Sequence, residues 1–351
     1  MFDKISNIEI KISNRCDLNC PFCFEKDTMF AEPFNDYLSL YNFLYKVPLD
    51  TNTNIKFIGG EPLVEVYEMI NCIRILKRLE RVKDVTLHFG MTTNGNMPDK
   101  FRYIVNSGLM HPSNIRISWD GKRKTIFNLQ KYGNYVTVRI PLIEETVSNL
   151  SEYFEDLLYC DFKNLEYFHL VEYPMYEDEE FLDTVEQELL KIKELQTKYE
   201  FRFINQESMI ETNVFARSVT CRHLGNTLYI TTNGDIYPCG LFSRDSIYST
   251  DFYIGNIYKG FFKDRLKLFI DEYKNTTRTC TGCSNYHCFE CPAVTYFYKR
   301  NMFERQLYSC ELNNIEKKIF GKANDSKIIN PALYYKNWDI NYDIPNNLPF
   351  A

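Results

Sequence analysis

The sequence predicts an α/β protein whose first half is a curved or closed parallel sheet and whose second half is a small cysteine-rich region. Three observations predict it. Six apolar, strand-like runs alternate with amphipathic helical stretches between residues 8 and 199. Four of the strand ends are polar and turn-rich, and in such folds ligands gather at the C-terminal ends of the strands. Beyond about residue 205 the alternation stops, and seven cysteines fall within about ninety residues. The expected division is a strand–helix body over 1–205, a cysteine-rich domain over 206–325 and a tail over 326–351 packed on the body.

The elements follow in order. Ile8–Ser13 alternates apolar and polar residues and is the first strand. Residues 36–47 carry apolar side chains at helical spacing. Ile55–Ile58, stopped by Gly59-Gly60, is the second strand, and Leu63–Arg81 is a long amphipathic helix with basic residues in its last turn. Val85–Thr92 is the third strand, Asn94-Gly95 a turn, and Pro98 opens a helix to about Ser107. Ile115–Trp119, Tyr135–Leu142 and Leu165–Val171 are strands four to six. Helices over 147–159 and 177–199 follow the last two. The acidic run Glu177–Glu180 reads as the solvated start of a helix, where negative charge is favourable.

Composition excludes more than it assigns. The 351 residues suit two or three domains. Lysine and arginine number 41 against 47 aspartates and glutamates, a net charge of −6 with no basic run, which argues against a nucleic-acid partner. No stretch reaches the roughly 18 apolar residues of a membrane helix, and the N-terminus lacks a signal peptide. A cytoplasmic protein is expected, where thiols stay reduced and twelve cysteines need a reason other than disulfides.

The chemistry starts at Cys16, Cys20 and Cys23, spaced C-x3-C-x2-C directly after the first strand. Three thiolates this close can face one metal centre, and they leave a cluster iron one ligand short. Gly59-Gly60-Glu61-Pro62 follows the second strand. By itself it is a tight turn, but its glycines also let backbone approach a ligand, and Glu61 could receive an ammonium. Thr93-Asn94-Gly95 after strand three is an ordinary turn signal. Ser118 and Asp120 after strand four are candidate acceptors for ribose hydroxyls, or else cap the next helix.

The cysteine loop, with Phe22 before its third cysteine, and Gly-Gly-Glu-Pro after the second strand resemble the radical S-adenosylmethionine (radical SAM) superfamily over roughly residues 5–200. The resemblance implies a partial (β/α)6 barrel with a 4Fe-4S cluster on Cys16, Cys20 and Cys23. It implies that the open iron chelates the methionine end of S-adenosylmethionine, with Gly59, Gly60, Glu61 and Pro62 at its amino group and Ser118 and Asp120 near its ribose. Thr93 and Asn94 fall beside the same site. Arg139 on strand five would meet the methionine carboxylate or, alternatively, be a salt-bridged strand residue. The implied reaction is reductive cleavage to a 5′-deoxyadenosyl radical, which takes a hydrogen atom from substrate. One departure is the short Lys122–Asn134 connection, where many relatives carry a longer loop and helix, so substrate contacts there do not carry over.

The later cysteines are Cys221, Cys239, Cys280, Cys283, Cys288, Cys291 and Cys310, of which the central four form C-x2-C-x4-C-x2-C. A zinc knuckle is one reading, although zinc ribbons separate their pairs more widely, and iron–sulfur ligation suits the spacing better. Residues 231–239 read as a hairpin turning at Asn233-Gly234 that delivers Cys239. This half resembles the SPASM extension of radical SAM enzymes, with a knot one residue tighter than usual at two places. The resemblance implies two auxiliary 4Fe-4S clusters, making three in all. The first takes Cys221, Cys239 and Cys291, with Thr227 where some relatives have a fourth cysteine and His223 as another possible ligand. The second takes Cys280, Cys283, Cys288 and Cys310. Cys72 and Cys160, in expected helices, read as plain buried thiols.

The function implied is oxidative modification, with crosslinking preferred, of a side chain in a ribosomally made peptide, using a flavodoxin- or ferredoxin-type reductant. His169 and Glu172, at the end of strand six, are candidate bases. Because the chain begins on its first strand, leader recognition would fall to the barrel, the SPASM region or a separate partner protein. The alternatives are a radical SAM dehydrogenase of a small molecule such as a sugar or aminocyclitol, and a non-enzymatic iron–sulfur electron carrier, against which Glu61, Ser118 and Asp120 argue.

Overall fold

The structure is a computed structural model. It describes residues 4–23, 32–169, 178–205, 226–243, 252–265, 267, 293, 296 and 307–320. The first strand, β1 (Ile5–Ser13), alternates as expected: Ile8, Ile10 and Ile12 are fully buried against helices, while Asn7, Glu9, Lys11 and Ser13 occupy the opposite face. It is flanked in parallel by β2 (Leu49–Gly59), which continues through β3 (Thr86–Thr93), β4 (Ile115–Ser118), β5 (Thr137–Leu142), β6 (Asn164–His169) and the short β7 (Arg202–Phe203). Consecutive strands lie side by side because a helical crossover returns each one to the same end.

Among the described residues, helices on the outer face include α1 (Tyr37–Lys46), α2 (Val66–Leu76), α4 (Pro98–Asn106), α5 (Glu144–Val147), α6 (Leu150–Tyr159) and α7 (Glu179–Lys198), with the six-residue α3 (Arg78–Lys83) beside them. Asp36 caps α1 by accepting the Ser39 N–H at 3.0 Å, and Asp178 caps α7 by accepting the Glu180 N–H at 2.8 Å. The core lies between these helices and the outer sheet face, where Phe57, Phe89, Met91, Ile117, Val138 and Ile140 are buried.

Some expectations need correction. The single helix expected over Leu63–Arg81 is a 3-10 turn at Pro62–Glu65, then α2, then α3, with the break at Lys77. The helix expected over 147–159 is likewise two, α5 and α6. The Lys122–Asn134 connection contains 3-10 turns over Lys124–Tyr132 that bury Ile126, Leu129 and Tyr132. Cys72 is buried within α2, but Cys160 is only half-buried, as the C-terminal cap of α6.

The sheet also extends past β1. There β8 (Thr227–Ile230) pairs in parallel with β1 and turns back into β9 (Asp235–Tyr237). The turn falls at Asn233-Gly234, with Gly234 at φ +83°. β10 (Gly255–Asn256) and β11 (Gly260–Phe261) complete an eleven-stranded order, β11-β10-β9-β8-β1-β2-β3-β4-β5-β6-β7, which is open among the described residues. A last helix, α8 (Leu307–Phe320), docks on the body: Tyr167 of β6 donates to the buried Glu316, and Lys193 of α7 donates to the Ile319 carbonyl at 2.5 Å. No helix among the described residues is long and apolar enough to cross a membrane.

Candidate active site

The rim at the C-terminal ends of β1 to β4 is one connected structure. Gly60 N–H donates to the Ser13 carbonyl at 2.9 Å and Glu61 N–H to the Arg15 carbonyl at 2.8 Å. These bonds lay the Gly59–Pro62 segment along the chain that leads into Cys16. The glycines are required by that approach. Gly59 has φ +140°, and a Cβ there would lie on the Ser13 carbonyl oxygen, while a Cβ on Gly60 would lie on the carbonyl oxygens of Asn14 and Arg15. Glu65, at the end of the following turn, holds the same stretch by an ion pair with Arg15 and a 3.4 Å bond from the Ser13 hydroxyl.

Glu61 is buried and spans β2 and β3. Its carboxylate accepts the Leu63 N–H at 2.9 Å, the Thr93 hydroxyl at 2.7 Å and the Asn94 N–H at 2.6 Å. Burial pushes its pKa up to about 7, against the pull of those donors. The Asn94 side-chain amide continues to Asp17 at 2.7 Å, and Asn96 donates to the other Asp17 oxygen at 2.7 Å. Thr125 closes the chain of bonds on Asn96 at 3.0 Å. A network therefore runs from the Gly-Gly-Glu-Pro turn through the β3 end into the cysteine loop. The turn signal Thr93-Asn94-Gly95, weak in sequence, is its central link. Asp17, Asn96, Glu65 and Arg15 were missed, since a single polar residue in a loop carries no signal until its partner is known.

Within the loop, Cys16 Sγ accepts the Leu18 N–H at 3.4 Å, and Cys23 N–H turns back to the Cys20 carbonyl at 3.1 Å. Phe22 is partly buried beside them. Burial pushes the Cys16 thiol up to about 11, with Glu61, Asp17 and Cys23 adding to the rise; burial also raises Cys20, opposed by Arg123. Among the described residues no three His, Cys, Asp or Glu side chains converge as ligands to a single ion. Three thiols on one loop suit a cluster, whose irons each take one thiolate. A cluster's positive charge would draw the thiols into the thiolate form.

On β4, Ser118 ends the strand and its carbonyl accepts from the Arg123 guanidinium. Asp120 pairs with Arg123 at 3.3 Å and accepts the Lys122 N–H at 3.2 Å. Arg139 on β5 faces Ser118 in register and is ion-paired to Glu166 at 3.2 Å, its guanidinium stacked 4.0 Å from the centre of the Phe168 ring. The salt-bridged alternative for Arg139 is thus present. His169 ends β6, with its side chain outside the described residues, as is Glu172. Of the later cysteines, Cys239 lies just past β9 and packs half-buried on the core. Cys310 sits in α8 with its side chain outside the described residues, and Cys221, Cys280, Cys283, Cys288 and Cys291 lie outside them altogether.

No family model matches the chain. In sequence it is similar to a GTP 3′,8-cyclase of Thermodesulfovibrio yellowstonii, 29% identical over 153 residues covering 42% of this chain and 43% of that protein. It is also similar to a 7,8-dihydro-6-hydroxymethylpterin dimethyltransferase of Methanocaldococcus jannaschii, 28% identical over 163 residues covering 40% and 30%. The chain thus spans less than half the length of these curated relatives. In fold it is similar to anSMEcpe with bound AdoMet and Cp18Cys peptide, with a TM-score of 0.67, 17% identity and coverage of 89% of this chain and 96% of that one. It is similar also to Streptococcus suis SuiB bound to the precursor peptide SuiA, with a TM-score of 0.52, 14% identity and coverage of 87% and 76%. The parallel strand–helix sheet, with three thiols after its first strand and a Gly-Gly-Glu-Pro turn after its second, has the fold of radical SAM enzymes, and the chain shares it with these solved structures.

Proposed function

We propose that the chain is a radical SAM enzyme with a SPASM-type second half that oxidatively modifies, by crosslinking, a side chain of a ribosomally made peptide. The observation that carries the reading is the hydrogen-bond network joining the cysteine loop, the Gly59–Pro62 turn and the β3 end into one rim. Cys16, Cys20 and Cys23 would hold a 4Fe-4S cluster. Gly59, Gly60, Glu61, Pro62, Phe22, Thr93, Asn94, Ser118, Asp120 and Arg139 would surround S-adenosylmethionine. When bound, the pair supplies a 5′-deoxyadenosyl radical able to take a hydrogen atom from substrate.

The protein's own share is positioning. Glu61 acts through Thr93 and Asn94 to fix the β3 end, Asp17 ties that end to the cysteine loop, and the Gly59–Gly60 backbone sets the distance between loop and turn. Two further 4Fe-4S clusters belong to the same reading, one on Cys221, Cys239 and Cys291 and one on Cys280, Cys283, Cys288 and Cys310, with a flavodoxin- or ferredoxin-type protein as reductant. The solved structures of similar fold that hold bound peptides support the peptide class. A small-molecule substrate is the second reading, favoured by the GTP and pterin named for the curated relatives.

The test is anaerobic reconstitution with iron and sulfide, reduction with dithionite and measurement of 5′-deoxyadenosine from S-adenosylmethionine. Production by the native chain and none by C16A, C20A or C23A is expected. Turnover that survives these substitutions sinks the assignment, and zinc rather than iron in the 280–291 knot sinks the auxiliary clusters.

A further inference from the structure

The inner face of the sheet, below the rim, carries charge of which the reading above uses only Arg139. Alternation places Glu9 and Lys11 of β1, Lys56 of β2, Arg116 of β4, Arg139 of β5 and Glu166 of β6 on that face. Among the described residues, Lys56, Arg116 and Arg139 meet the carboxylates of Glu9 and Glu166. Glu166 Oε1 lies 3.2 Å from Arg139 Nε and 3.4 Å from Arg116 Nε, so one oxygen serves two guanidinium groups. The geometry is also imperfect. Arg139 Nε is buried and makes no hydrogen bond, although the carboxylate is close. Each guanidinium offers five N–H donors in a planar fork, more than one carboxylate can accept from two. Across the same face Lys56 reaches Glu9 only at 4.0 Å.

The cations act on one another. Burial pushes Lys56 down to about 8, with Glu9 and Glu166 opposing and the charges of Arg116 and Arg139 adding to the fall. Arg139 is lowered by burial and by Arg116, with Glu166 and Glu9 opposing. Among the described residues these three cations share two carboxylates. Their depth is set by register. Lys56 stands three residues before Gly59, roughly 10 Å below the rim at about 3.3 Å per residue, and Arg116 two residues before Ser118, roughly 7 Å below. A substrate atom reached from the rim would have its neighbouring groups at this depth.

We propose that Lys56 and Arg116, beside the Arg139–Glu166 pair and against Glu9, form a subsite for a carboxylate of the substrate, the side chain of an acidic residue beside the modified one in a peptide. This rests on the enzyme reading above and adds the chemistry its substrate must carry. An incoming carboxylate completes the pairing that Glu166 shares between two arginines. A neutral isostere at the same place leaves those donors without an acceptor, so the subsite selects by charge as well as by shape.

The full reconstituted chain, loaded with S-adenosylmethionine, is titrated calorimetrically with Ac-Ala-Glu-Ala-amide and Ac-Ala-Gln-Ala-amide. The glutamate peptide is expected to bind about tenfold tighter, and less so at high salt. K56Q and R116Q should each remove that preference while K56R and R116K keep it, with affinity for S-adenosylmethionine unchanged in all four. Equal binding of the two peptides, or a preference that survives both glutamine substitutions, overturns the proposal. So does a fall in S-adenosylmethionine affinity in K56Q and R116Q, which would give the cations to the methionine carboxylate instead. Displacement of the glutamate peptide by micromolar tripolyphosphate overturns it in favour of a phosphorylated substrate. Failure to cleave S-adenosylmethionine would sink the enzyme reading while leaving the peptide preference to be read on its own.

Discussion

Replacing Glu61 by alanine tests the network that assembles the rim. The carboxylate accepts from two backbone N–H groups, of Leu63 and Asn94, and from the Thr93 hydroxyl, all from a buried position. Hydrogen bonds to a charged group contribute about 1.5–3 kcal/mol each, and a buried donor left without an acceptor costs about 1–3 kcal/mol. Against this stands the burial of the acid itself. A pKa raised from 4.5 to about 7 corresponds to about 3 kcal/mol of unfavourable ionisation, which alanine relieves. The Thr93 hydroxyl can turn to another acceptor, whereas the two N–H groups cannot. We therefore expect E61A to lose about 2–4 kcal/mol of unfolding free energy, measured by urea denaturation of the full chain. E61Q should lose less, since its amide oxygen serves one side of the network while its NH2 opposes a donor on the other. Adding T93V to E61A should cost about 1 kcal/mol less than adding it to the native chain, because the two share a bond. A urea midpoint for E61A within error of the native one, or full additivity with T93V, would refute the clamp.

Two further predictions follow from backbone and burial. G60A should destabilise by about 1–3 kcal/mol, because its Cβ meets fixed carbonyl oxygens rather than a mobile side chain. G260A, where the Cβ meets open space at φ +78°, should cost only the left-handed backbone strain of about 1–2 kcal/mol. Iron retained after desalting should fall in G60A and not in G260A, and equal retention would separate the turn from the cysteine loop. Glu316 of α8, raised to about 7 by burial against the body, is favoured in its protonated form by the folded chain. Its contribution is complete below pH 4.5 and is lost as pH rises through 7, by up to about 3 kcal/mol. E316Q should flatten part of the fall in stability between pH 5 and 8, leaving the share due to Glu61, and an unchanged profile would remove Glu316 from that window.

Alternation, helical spacing and turn residues are local properties of the chain, and they suffice to read off the six strand–helix repeats, the parallel sheet and the strand ends that carry Cys16, Gly59–Pro62, Thr93 and Ser118. The sequence left alternatives where one residue had two plausible partners, as at Arg139, whose ion pair with Glu166 needs the β5–β6 register to be known. Folding alone decided that Asn94 and Asn96 grip Asp17 from more than seventy residues away. It also decided that the hairpin at β8–β9 continues the sheet beyond β1, and that charges from five strands face one another below the rim. The physical reason is the range of the interaction. Backbone preference and burial periodicity act within a few residues, whereas hydrogen bonds and ion pairs between strands exist only once crossovers have set the register.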